Sequence, residues 1–137
     1  MGRFSVALEV ENYNDIVLSE SGQIDSNAVR SMHIDGIVNS GATRLVLPSS
    51  VARKLGLPVT RRTRTRYTHG RTALRNLVGA IQVTLQGRSQ IFDAVVEPNR
   101  DKALIGAIVL EVLDFVVDCT AQRLVPRDPR VVISELE

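Results

Sequence analysis

One stretch constrains the fold more than any other: Ile37-Val38-Asn39-Ser40-Gly41-Ala42-Thr43-Arg44-Leu45-Val46-Leu47-Pro48. Apolar runs stand on both sides of the polar and small residues 39–43. The chain must enter the interior as a strand, turn tightly, and go back into the interior. A turn of this kind brings a small reactive group to the end of buried strands, where it can face a cleft. Yet the residue at its tip is Asn39, whose amide neither gives nor takes a proton near neutral pH. Asn-Ser-Gly alone is a common turn sequence. The apolar runs that enclose it set this one apart.

Most of the remaining sequence follows a period of two, the pattern of strands with one buried face. Phe4-Ser5-Val6-Ala7-Leu8-Glu9-Val10 alternates in this way, and residues 29–38 feed the turn. Ile16-Val17-Leu18 is a second short apolar run, ahead of a polar loop over 19–27. Residues 61–68 and 77–85 make the arms of a long hairpin with its tip near Tyr67-Thr68-His69-Gly70-Arg71. Gln86-Gly87-Arg88 then turns the chain into a strand over 91–96.

Two segments break the alternation. Pro48 suits the first position of a helix, Val51, Ala52 and Leu55 share one helical face, and Gly56 can end that helix in a left-handed conformation. Ala103-Leu104-Ile105-Gly106 reads as a buried strand end leading into a short helix over 107–113. A last hairpin turns around Thr120-Ala121. The pattern predicts an all-β, closed fold with one or two short helices. It predicts a single domain over residues 1–137, least determined over 1–28.

Composition narrows the function classes. With 44% apolar residues the chain can build a core, which excludes global disorder. No run approaches the roughly 18 apolar residues of a membrane helix. Met1-Gly2-Arg3-Phe4-Ser5 lacks the apolar core of a secretory signal, and Val6 stands where an acylation signal at Gly2 needs Ser or Thr. Cys119 is the sole cysteine, so no intrachain disulfide forms and a reducing, cytoplasmic home is expected. It follows Val116-Val117-Asp118 without a basic partner, and reads as structural, packed or partly exposed.

The net charge of +2 conceals a local excess in Thr60-Arg61-Arg62-Thr63-Arg64-Thr65-Arg66, followed by Arg71 and Arg75. Arginines alternating with threonines suit the solvated face of a strand. Aromatics at 4% offer few stacking platforms, so no nucleic-acid partner is expected. His33 and His69 have no ligand cluster around them, and neither a metal nor a cofactor is expected. Asp35 and Asp93 lie in alternating segments and read as surface residues rather than an acid–base pair. There is no phosphate-binding glycine loop and no Ser/His/Asp pattern.

The order of elements is strand, Asn-Ser-Gly-Ala-Thr turn, short helix, long hairpin, Leu-Ile-Gly turn, helix. In this order the sequence resembles the retropepsin-like aspartic proteases, retroviral and bacterial, over roughly residues 29–126. In that family the turn reads Asp-Ser/Thr-Gly-Ala and continues into a stretch like Leu-Val-Leu-Pro. The resemblance implies an aspartic endopeptidase acting on extended peptides in a cleft that a homodimer forms. It puts Asn39 at the position of the catalytic aspartate. Ser40 would brace the two turns across the dimer, and Gly41 would let the backbone turn tightly. Ala42 and Leu104 would contact substrate, as would Thr68, His69 and Gly70 at the tip of a mobile flap. Leu104-Ile105-Gly106 would support the turn from beneath.

The sequence departs from the family at Asn39, and also at His69, where bacterial relatives often carry an acidic residue. Asn39 leaves two readings open. One is a deliberate inactivating change from aspartate, favoured because the supporting elements are all kept. The other is a natural non-catalytic branch that holds peptides in the same dimer cleft.

Overall fold

The computed structural model describes residues 3–136. The expectation that Gly2 is not acylated lies outside the described residues. The strands are β1 (Phe4–Asn12), β2 (Ser31–Val38), β3 (Val46–Pro48), β4 (Val59–Arg66), β5 (Thr72–Leu85), β6 (Arg88–Glu97), β7 (Ala103–Ile105), β8 (Phe115–Asp118) and β9 (Arg123–Pro126). Among the described residues three short α-helices, α1 (Tyr13–Glu20), α2 (Ser49–Lys54) and α3 (Ala107–Val112), and one 3-10 turn at Ser26–Ala28 interrupt them.

The larger sheet runs β1-β2-β7-β3-β6-β5-β4, and β1 also pairs with β5. That added pairing, with Val10 opposite Val83, closes β1, β2, β7, β3, β6 and β5 into a barrel. β4 stays outside it, attached along the outer half of β5. The barrel is mixed: β2 with β7 and β3 with β6 are parallel, and the other pairs are antiparallel. The all-β, closed architecture read from the alternation is the one observed.

Alternation explains why the barrel fills. Leu8 and Val10 of β1, Ile81, Val83 and Leu85 of β5, and Ile105 of β7 point inward and are buried. Leu45, Leu47, Val51 and Leu55 cover them from the α2 side, and Val109 and Leu113 from the α3 side. Trimming one such leucine to alanine costs about 2–5 kcal/mol, since the cavity cannot collapse fully.

Helix α1 is a departure from the sequence reading, because Ile16-Val17-Leu18 lies within it. Its causes are tertiary. Asn12 caps the helix by accepting the Asp15 N–H at 3.1 Å, while its own amide donates to the Leu55 carbonyl at 2.7 Å. Asp15 receives the Arg30 guanidinium at 2.8 and 3.1 Å, and also the Arg30 backbone N–H. These contacts hold the Asp15 carboxyl below its ordinary range, the Arg30 side-chain bonds contributing most. Propensity gives way to capping and anchoring here.

The other elements agree closely with expectation. α2 ends at Lys54 with Leu55 as its cap, and Gly56 follows with φ +63°. The β8–β9 hairpin forms, but Cys119 beside its turn is exposed where the sequence predicts a packed or partly exposed side chain. After β9 the chain is strapped back by Arg88, which donates to the carbonyls of Leu113, Asp114, Asp128 and Val131. Asp114, buried, accepts Arg127 at 2.7 Å and the Ile133 N–H at 3.0 Å. The Ile133 bond leads the causes that lower its pKa.

Candidate active site

The turn at 39–43 begins where β2 leaves the barrel. Asn39 Oδ1 accepts the Gly41 N–H at 3.0 Å, and the Asn39 carbonyl accepts the Ala42 N–H at 3.1 Å. The start of α3 fixes the turn from below. Asn39 N–H donates to the Ile105 carbonyl at 3.0 Å, Ala107 N–H to Ala42 at 2.7 Å, and Ile108 N–H to Thr43 at 3.0 Å. Gly106, inside this ladder, meets the backbone of Thr43 and Arg44 so closely that a β-carbon would overlap it.

The turn forms one wall of a cavity of about 730 Å³. The β4–β5 hairpin forms the opposite wall, from Thr63 to His69. Val46, Val95 and Leu104, adjacent in the sheet, make an apolar floor between them. At the hairpin tip, Gly70 has φ +89° and donates to the Tyr67 carbonyl at 2.9 Å. The His69 ring stacks on Tyr67 with centroids 5.7 Å apart.

Below that tip lies a cluster that the sequence did not mark. The Tyr67 hydroxyl donates to Glu97 at 2.8 Å, and Arg75 Nε reaches Glu97 at 2.5 Å and the Tyr67 oxygen at 3.0 Å. Burial, then the Glu97 bond, pushes the Tyr67 phenol above its ordinary pKa. This cluster ties the tip end of the hairpin, through Tyr67 and Arg75, to β6. A second concavity, of about 670 Å³, lies beyond the Arg44–Asp93 ion pair, with Ile91, Ile108 and Val112 on its lining.

No protein-family model and no curated protein matches the sequence. Among solved structures the chain is similar to EIAV protease complexed with the inhibitor HBY-793, at 14% identity, over 80% of this chain and 86% of that one, with TM-score 0.53. It is also similar to the retroviral protease-like domain of Ddi1 from Leishmania major, at 20% identity, over 71% of this chain and 81% of that one, with TM-score 0.51. The fold is retropepsin-like.

Within this retropepsin-like fold, Asn39, Gly41, Ala42, Thr68, His69 and Leu104 all line the cavity. Ser40 is exposed beside it, and Gly70 lies at the exposed tip outside its lining. Asp35 and Asp93 are exposed. His33 sits on β2 near Glu9, in a different element from His69. Among the described residues no His, Cys, Asp and Glu side chains gather in a group able to hold a metal. No helix of the described chain is long and apolar enough to cross a membrane.

Glu97 had no signal of its own. It ends an alternating strand just before Pro98-Asn99, and nothing local says that it will meet Tyr67.

Proposed function

We propose that this chain is a retropepsin-type aspartic endopeptidase, built as a homodimer and inactive as written because Asn39 occupies the position of the catalytic aspartate. The observation that carries the reading is the Asn39 turn, tied to residues 105–108 by three backbone hydrogen bonds and facing an apolar-floored cleft beneath a hairpin. The likeness of fold to a protease that was solved with an inhibitor supports it.

The chemistry follows from the turn. Peptide hydrolysis by this route needs one carboxylate to take a proton from water while a second, protonated carboxyl polarises the carbonyl. Two carboxyls held close share a single proton, because both cannot ionise together. The turn motif occurs once per chain, so two copies of the chain supply the pair across a two-fold axis. In this dimer the Tyr67–Arg71 tip is the flap, closing over an extended peptide by strand-like pairing. An amide at position 39 keeps the shape of the turn and removes the proton chemistry.

Asn39→Asp is therefore expected to switch on cleavage at acidic to mildly acidic pH, by on the order of 10²–10⁴ or more in rate. Sedimentation is expected to show dimer growing with protein concentration. The assay pairs both forms of the chain against a diverse peptide library, with a general aspartic-protease inhibitor as control. A dimeric Asn39→Asp protein that cuts nothing across the acidic range, yet still binds peptides, would transfer the reading to a natural non-catalytic peptide-binding dimer. Asn39 itself is the observation that favours this second reading.

A further inference from the structure

We propose that the cleft selects extended peptides rich in aspartate and glutamate. The proposal rests on the peptide-cleft reading above and assigns its substrate class. The charged residues on the cavity lining are Arg3, Arg44, Arg64, Arg66, Arg100 and Glu97. Two of them are already neutralised: Glu97 by Arg75 at 2.5 Å, and Arg44 by Asp93 at 3.1 Å. Arg3, Arg64, Arg66 and Arg100 pair with no carboxylate among the described residues. Arg64 reaches the Thr72 hydroxyl and Arg100 the Lys102 carbonyl, both neutral acceptors.

Four unneutralised guanidinium groups around one cleft exceed the net charge of the whole chain, which is +2. Among the described residues Glu97 is the one carboxylate on the lining and is already held by Arg75, so nothing on the cleft wall offsets the four. A concave site walled by protein focuses such a field and concentrates anionic ligands. Guanidinium also matches carboxylate geometry with paired hydrogen bonds.

The backbone makes the ligand a peptide. β4 is the last strand of the sheet, bonded to β5 on one side and open on the other. An open strand edge offers alternating N–H and C=O groups, which a second extended peptide can pair with. A phosphodiester chain has no matching ladder. Along such a peptide, alternate side chains would reach the Arg64 and Arg66 side of β4, while those between them settle on Val46, Val95 and Leu104.

The chain as it stands allows binding to be measured without turnover. The probes are a labelled alternating Glu-Ala dodecapeptide, its Gln-Ala isostere and its Lys-Ala counterpart, followed by fluorescence anisotropy at low salt. The Glu-Ala peptide is expected to bind at least about tenfold tighter than Gln-Ala, with Lys-Ala weakest, and the gap to shrink towards about 1 M salt. The double reversal Arg66→Glu/Arg100→Glu is expected to weaken Glu-Ala binding about tenfold and to leave Gln-Ala binding in place. Arg53→Glu, on the exposed side of α2, changes net charge without touching the cleft and is expected to alter neither.

Equal affinity for Glu-Ala and Gln-Ala overturns the charge selection while the peptide-cleft reading stands. An oligothymidylate that binds more tightly than Glu-Ala and displaces it overturns the choice of a peptide ligand. Binding of no peptide at all, together with no cleavage by Asn39→Asp, overturns this proposal and the proposed function with it.

Discussion

Gly106 has an ordinary φ of −89°, so its constraint is one of space, not of backbone preference. An added β-carbon would stand 2.8 Å from Arg44 N and from Thr43 C. Both are main-chain atoms, and neither can swing aside as a side-chain end can. Gly106→Ala is expected to cost about 1–3 kcal/mol and to push the 39–43 turn off the start of α3. Urea unfolding gives the first number, and the amide shifts of Gly41 and Ala42 report the second. An unchanged midpoint with unchanged shifts contradicts the steric reading. The sequence marked Gly106 through its place after Leu104-Ile105, but the reason for glycine is visible only when two distant turns are stacked. Glu97 was harder still, because its partners Tyr67 and Arg75 lie on a hairpin far away in the chain. Alternation tells which face a residue is on and not whom it meets there.

Among the elements, the β4–β5 hairpin combines an exposed turn with a pinned residue, Tyr67, at its start. Thr68, His69 and Gly70 are exposed, while Tyr67 is held through Glu97 and Arg75. Thr68 to Arg71 should therefore exchange amide hydrogens much faster than the core around 104–110. Tyr67→Phe removes the hydroxyl and is expected to cost about 0.5–1.5 kcal/mol. It should also spread the fast exchange down both arms of the hairpin. Exchange that stays confined to the tip in Tyr67→Phe counts against a pinning role. The hairpin was legible because its arms alternate over many residues and its tip carries glycine. Helix α1 was not, since the β-branched Ile16 and Val17 suit a strand equally well. What decides it is Asn12 reaching Leu55 and Asp15 reaching Arg30, contacts that exist only after the barrel has closed.

At the scale of the whole molecule, stability is tied to acid titration. Asp15, Asp114 and Asp128 all have pKa values lowered in the fold, through Arg30, the Ile133 N–H and the Arg130 N–H respectively. A lowered native pKa means that the unfolded chain takes up protons first as pH falls. The stabilisation is whole above the ordinary aspartate value of about 3.9 and is lost as pH drops through the lower native values. Glu11 has the opposite sign, its pKa raised chiefly by burial, and offsets part of the loss. The melting temperature should hold above about pH 4 and fall steeply below it. Asp114→Asn should lower stability at neutral pH and make that fall shallower. A variant with the parent's full acid slope would remove Asp114 from the account. The same window limits any acidic assay of Asn39→Asp.

The position of β4 outside the closed barrel has a consequence for how such a chain can change over generations. Barrel strands share one interior, so each substitution there is felt by its neighbours. β4 leans on β5 alone, and most of its side chains are exposed. Residues 61–66 can then be rewritten with stability changes within about 0.5 kcal/mol, whereas Val10, Ile81 or Val83 cannot. A mutational scan read by folded yield should show a tolerant stretch at β4 beside an intolerant barrel; equal intolerance in both would refute the division. Ligand preference in this architecture can drift one strand at a time, on a scaffold that does not have to be reinvented.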